Sequence, residues 1–229
     1  MGHVLARLAG FGMTLTPRWP YSFERASDTP PAVRVTTGEG ESTRIACVTA
    51  VAGPPPRVEL TNARDVDDVV DVQPGPAEPH WRIETSAYAL AWPAGFTVES
   101  PPADDFSPFL LWGPGDALLH VQGPVDRERI PPPPQLAGPG QRLVDHRADP
   151  AFEAVELAYR HEGDEWRQLH HLVALDEKQA LVVTSQCPAR HSELVRSAAE
   201  TVARSLTTSP AHGASPSEAG REATAEEHE

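Results

Sequence analysis

Between Trp81 and Cys187 the chain alternates apolar and polar residues in short runs, most of them closed by glycine, proline or a polar turn. Trp81, Ile83 and Thr85 alternate with Arg82 and Glu84, the period-two pattern of a half-buried strand. Tyr88–Trp92 repeats it with Tyr88, Leu90 and Trp92 on one face, and Pro93-Ala94-Gly95 turns the chain into an extended run at Phe96–Val98. Phe109–Trp112 and Ala117–Gln122 flank Gly113-Pro114-Gly115-Asp116, a hairpin signal. Longer strands are predicted at Ala151–His161, Glu165–Leu175 and Gln179–Cys187. Their connections, Glu162-Gly163-Asp164 and Asp176-Glu177-Lys178, are short enough for antiparallel hairpins. Ile130–Gly140 is dominated by proline and glycine and is predicted to be an exposed connection.

After Cys187 the period changes. Pro188 is predicted to open a helix, a position where its missing N–H needs no partner. Leu194, Val195, Ala198, Ala199, Val202 and Leu206 form one apolar stripe, with Arg190, Glu193, Arg196, Glu200 and Arg204 outside it. Residues 207–229 carry almost no large apolar side chain, cannot repay their ordering entropy, and are predicted to be a disordered acidic tail. Before Trp81 the pattern is looser. Ala32–Thr37, Arg44–Val51 and Arg57–Thr61 read as short strands, Arg64–Asp71 as an acidic turn or short strand, and Gln73–Pro79 as a linker. The chain therefore divides into a β-rich N-terminal segment at 1–79, a domain at 80–206 and the tail. The fold class is α+β: an antiparallel sheet with a C-terminal amphipathic helix packed on it, most naturally over the last three strands.

Composition narrows the function. The net charge is −14 over 229 residues, which argues against nucleic acid, because phosphate neutralisation needs a basic surface. The 25 prolines sit largely in clusters, so the modest 39% hydrophobic share reflects linkers more than a missing core. Leu8–Leu15 is too short to span a membrane and makes a poor secretory signal. With only two cysteines, Cys47 and Cys187, a cytoplasmic protein with reduced thiols is expected.

The segment from Tyr88 to Leu206 resembles the DcrB-like, PsbP-type α+β domains. The resemblance rests on Trp92-Pro93-Ala94-Gly95-Phe96 in the opening strand and Ala154-Val155-Glu156-Leu157-Ala158-Tyr159 in a later one. It continues with Trp166, Leu181-Val182-Val183-Thr184-Ser185, Pro188 and the closing helix Ser192–Leu206. That family implies an accessory role without catalysis. Its members include photosystem accessory proteins, bacterial lipoproteins, a nuclear-transport regulator and chaperones that shield hydrophobic segments of secretion effectors. The family's usual helix between its middle strands is replaced here by Ile130–Gly140, and residues 1–79 have no counterpart in it.

Candidate chemistry is sparse. Ten histidines raise the question of a metal, but His170 and His171 are adjacent and point to opposite faces of a strand. His170 would need His161 or His120 from a neighbouring strand, and no His-x-x-x-His or Cys-x-x-Cys spacing supports a site. His171 shares a face with Leu169, Val173 and Leu175, the pattern of a core histidine. Ser185, Cys187 and His191 are close in sequence, and the alternatives are a Cys–His nucleophile and a small cysteine packed beneath the helix. Neither cofactor nor metal is expected. Three readings compete, the third being an exported accessory domain. In the first, a non-enzymatic, chaperone-like module uses the sheet face opposite the helix, with Trp166, His170 and Leu172 on it, to bind a protein or peptide such as an apolar segment of a secreted effector. In the second, a hydrolase-like enzyme brings together at least two of His161, His170, Cys187 and His191.

Overall fold

The computed structural model describes residues 5–9, 13–15, 20–28, 31–37, 42–49, 57–61, 69–72, 80–102 and 107–208. In chain order the strands are β1 (Leu5–Ala9), β2 (Met13–Leu15), β3 (Tyr21–Asp28), β4 (Pro31–Thr37), β5 (Ser42–Thr49), β6 (Arg57–Thr61), β7 (Val69–Val72), β8 (His80–Glu84) and β9 (Tyr88–Ala91). They continue with β10 (Thr97–Glu99), β11 (Leu110–Trp112), β12 (Leu118–Asp126), β13 (Arg142–Ala148), β14 (Glu153–His161), β15 (Asp164–Ala174), β16 (Gln179–Pro188) and β17 (Thr207–Thr208). Between β16 and β17 lies the helix α1 (Ser192–Ser205).

The strands form two sheets. One has eleven strands in the order β13-β14-β15-β16-β12-β11-β10-β3-β4-β5-β6, and the other has six in the order β17-β9-β8-β1-β2-β7. The pairings β14–β15 and β15–β16 are antiparallel hairpins, as their short connections predict. Helix α1 buries Val195, Ala198, Ala199, Val202 and Ala203. It packs on β15 and β16 of the larger sheet and on β9 of the smaller.

One core joins the two sheets. Trp81, Ile83, Tyr88 and Leu90 of the smaller sheet cluster with Phe23, Val98, Leu119 and Val183 of the larger. The Tyr88 hydroxyl donates to the Val121 carbonyl at 3.2 Å and the Trp92 indole N–H to the Phe96 carbonyl at 2.7 Å, so the polar tips of these aromatics are satisfied inside the core.

The α+β class holds, and several finer expectations change. Residues 1–79 are not set apart: β1 pairs with β8, and β3 pairs with β10. Pro188 does not open the helix. It stays in β16 opposite Trp166, and a single 3₁₀ turn at Ala189–His191 leads into α1. Leu194 lies 48% exposed while Ala203 is buried, because the buried stripe runs through Val195 and Leu194 sits about 100° away from it around the helix. Thr207–Thr208, expected in the tail, pair with β9, and Ser205 Oγ accepts from the Ala91 N–H at 2.8 Å. The predicted disorder at 209–229 and the linker at 73–79 lie outside the described residues.

Candidate functional site

Cross-strand partners point to the same face of a sheet, so the pairing register sorts the side chains. On the helix side of the larger sheet stand Ala154 and Glu156 of β14, Arg167, Leu169 and His171 of β15, and Val183, Ser185 and Cys187 of β16. Glu156, almost wholly buried, lies 2.6 Å from Arg196 of α1 and 3.3 Å from Arg167. The opposite side presents Val155, Leu157 and Tyr159 from β14, Trp166, Gln168, His170 and Leu172 from β15, Val182, Thr184 and Gln186 from β16, and His120 from β12.

That opposite side is partly covered, and the reason is topological. β12 lies on one side of β16, whereas β13 lies beyond β14, so the chain from Arg127 to Gln141 must cross three strands. This proline-rich strap begins at the β15–β16 turn, where the Arg127 N–H donates to the Lys178 carbonyl at 2.8 Å. It ends at Gln141, whose Nε2 donates to Gln168 Oε1 at 2.7 Å. Much of the strap is exposed, as its composition predicts, yet it lies against the sheet. Val155 and Leu157 face the strap side and are 0% exposed although they belong to no part of the main core.

Between strap and sheet is a cleft of about 490 Å³. Its strap wall is Ile130, Pro131, Pro132, Pro133 and Leu136, and its floor includes Phe152, Leu172, Ala174 and Ala180. The charged groups at its margin are already engaged. Asp149 receives two bonds from Arg204, at 2.7 and 2.9 Å, which hold its carboxyl below the usual range. Glu153 lies 2.7 Å from His146, and Arg127 donates to the Asp176 carbonyl at 3.3 Å. The surface left for a ligand is therefore the apolar one. Ala148, the last residue of β13, also lines the cleft, so the cleft is continuous with the sheet's edge strand. That strand is exposed along its whole length, and Leu143 and Val144 are 41% and 40% exposed.

A chain of hydrogen bonds ties the strap to the face. The Gly138 N–H donates to Gln141 Oε1 at 2.8 Å, Gln141 donates to Gln168 as above, Gln168 Nε2 contacts His170 Nε2 at 3.0 Å, and His170 Nδ1 contacts Thr184 Oγ1 at 3.1 Å. An amide NH₂ only donates, so His170 Nε2 is the acceptor and its proton sits on Nδ1. Burial, and then the neighbouring His120, hold the His170 imidazole below its ordinary value.

The predicted residues thus occupy separate places on one face. Leu172 lines the cleft, and His170 belongs to the hydrogen-bond chain. Trp166 lies at the other end with Tyr159 at 6.2 Å and His161 at 5.5 Å between ring centroids. The alternative set does not converge. Cys187 is a buried free thiol on the helix side, pushed up to about 11 by burial, while His170 points to the strap side. His161 is exposed beside Trp166, and no hydrogen bond joins any two of His161, His170, Cys187 and His191 among the described residues. Nor do three or more His, Cys, Asp or Glu side chains gather there as a metal site. No described helix is long and apolar enough to cross a membrane. Sequence reading missed Gln141, Leu136 and Ile130, for which the chain carries no local signal. Gln168 was legible on the face of Trp166 and His170.

No family model matches this chain, and no curated protein matches it. Among solved structures, the solution structure of cyanobacterial PsbP (CyanoP) from Synechocystis sp. PCC 6803 is similar at 13% identity and a TM-score of 0.38, over 54% of this chain and 88% of that one. The crystal structure of LpqN, involved in cell envelope biogenesis of Mycobacterium tuberculosis, is similar at 17% identity and a TM-score of 0.32, over 54% of this chain and 83% of that one. A likeness of this size concerns the course of the chain and says nothing of activity, ligand or partner.

Proposed function

We propose that this protein is a non-enzymatic binding module that holds an extended apolar peptide segment between the strap and the sheet. The observation that carries the reading is the apolar cleft joined to an exposed edge strand. A peptide that pairs along β13 satisfies its main chain there and, where it continues past Ala148, its next residues reach the cleft and set apolar side chains beside Leu172. Each leucine-sized side chain so buried contributes about 1.5–3 kcal/mol before ordering costs. An apolar segment of a secreted effector is one partner of this chemistry. The cytoplasm is the proposed place of action, and the free thiol of Cys187 supports it. A hydrolase built on His161, His170, Cys187 and His191 finds less support, since Cys187 and His170 lie on opposite faces. The test is titration of the isotope-labelled protein with a soluble peptide of alternating leucine and serine. Amide shifts centred on β13 and on Leu172–Ala174 are expected, and shifts elsewhere or none at millimolar peptide reject the reading.

A further inference from the structure

The hydrogen-bond chain from Gly138 to Thr184 has a polarity that one proton reverses. At one end is a backbone N–H, a donor that cannot invert. At the other is a hydroxyl, which accepts a hydrogen bond whatever the state of the ring. The two glutamine amides between them have an order fixed by the Gly138 N–H: it takes the Gln141 oxygen, so the Gln141 NH₂ goes to the Gln168 oxygen and the Gln168 NH₂ to His170 Nε2. Protonation places a hydrogen on Nε2. Gln168 must then turn its oxygen toward the ring and its NH₂ toward Gln141. Gln141 must turn in response, and its own NH₂ meets the Gly138 N–H, donor against donor. Whichever amide refuses to turn, one contact in the chain is lost, because the Gly138 end has no alternative role.

We infer that this chain is a proton-operated latch on the strap, fully bonded when His170 is neutral and short of one contact, at the exposed Gly138 end, when it is charged. The ring's surroundings leave the proton free to act in this way. β14 presents Val155 and β16 presents Thr184, neither of them charged, and the strap presents Gln141. From β12 comes His120, whose charge would oppose a second one. On β13, beyond Val155, His146 is held by Glu153. Among the described residues the face therefore offers His170 no carboxylate within bonding distance to hold its charge, and the switch falls below its ordinary value of 6.5. A ligand beneath the strap that favours the fully bonded latch lowers the affinity of His170 for its proton, and acid weakens that ligand by the same factor. This gating role rests on the cleft being the binding site. The latch itself is tested without ligand, so failure of the latch and failure of the cleft reading are distinguishable.

The experiment follows the full-length protein by NMR from pH 8 to 4.5, reading the His170 ring and the Gly138 amide. The Gly138 amide should shift with the midpoint of His170, and its hydrogen-exchange protection, corrected for intrinsic pH dependence, should fall about tenfold, as the loss of one hydrogen bond implies. In Gln168→Leu the ring should still titrate while the Gly138 amide stays indifferent to pH. His170→Gln, which keeps a polar side chain, should abolish the amide's response as well. The latch is overturned if Gly138 ignores the titration of His170, if it responds equally in either variant, or if His170 stays neutral to pH 4.5.

Discussion

His171 is a core residue in the wrong chemistry for its place. Its ring is 0% exposed, packs edge-on to Phe152 with 4.8 Å between centroids, and has no hydrogen-bond partner at either nitrogen. A buried polar group left unsatisfied costs about 1–3 kcal/mol. His171→Leu removes both orphaned atoms at similar volume, so stability at pH 7.5 should rise by about 1–3 kcal/mol. Acid should widen the gap. Burial lowers this imidazole from 6.5 to about 4 in the folded protein. Above pH 6.5 neither state binds the proton. Below it the unfolded chain does and the folded chain does not, so folded stability falls by about 1.4 kcal/mol per pH unit until roughly pH 4, some 3 kcal/mol in all. Urea unfolding of wild type and His171→Leu at pH 7.5, 6 and 5 measures both parts. The other titrating groups are common to the two proteins, so the difference between them isolates His171. A variant less stable than wild type at pH 7.5, with a gap that does not grow toward pH 5, refutes the reasoning.

Glu156→Ala leaves Arg167 and Arg196 facing an empty site beneath α1. It should cost about 3 kcal/mol, read as a fall in the urea midpoint, whereas Arg34→Ala, which breaks an exposed pair with Glu24, should cost under 1 kcal/mol. Gly123 has a φ of 116°, and a Cβ there would stand 2.9 Å from the Ala180 carbonyl oxygen. Gly123→Ala should therefore destabilise by about 1–3 kcal/mol in the same assay. Cys187, buried and pushed up to about 11, should resist thiol reagents at pH 8 in the native protein and react at once in denaturant, as peptide mass mapping would record.

Elements that bury one face were legible, because burial imposes the period that the sequence then carries. β14, β15 and β16 lie within two residues of their predicted bounds, and His171 shares the buried face of Leu169 and Val173. β13 went unread because all seven of its residues are exposed, which leaves no alternation to find. β3 does alternate, with buried Tyr21 and Phe23 against exposed Glu24, but its role at the junction with β10 depends on a pairing more than seventy residues away. The strap shows the same limit. Its composition marked an irregular segment correctly, while its path follows from the strand order, and the contact of Gln141 with Gln168 spans 27 residues. Trp166, His170 and Leu172 were placed on one face by alternation alone, but the strap that divides that face into cleft, latch and aromatic end was not foreseeable from them.

The proposed binding places apolar side chains of an extended peptide in the cleft beside Leu172. It is tested most directly by comparing the affinity of the leucine–serine peptide for wild type, Leu172→Asp and Ala174→Trp, with circular dichroism to establish that each is folded. Leu172 is half-buried and Ala174 exposed, so both variants should fold. At least a tenfold loss of affinity is expected in each, about 1.4 kcal/mol or more: one places a carboxylate on the apolar floor, and the other fills the space. Equal affinity for all three proteins contradicts it.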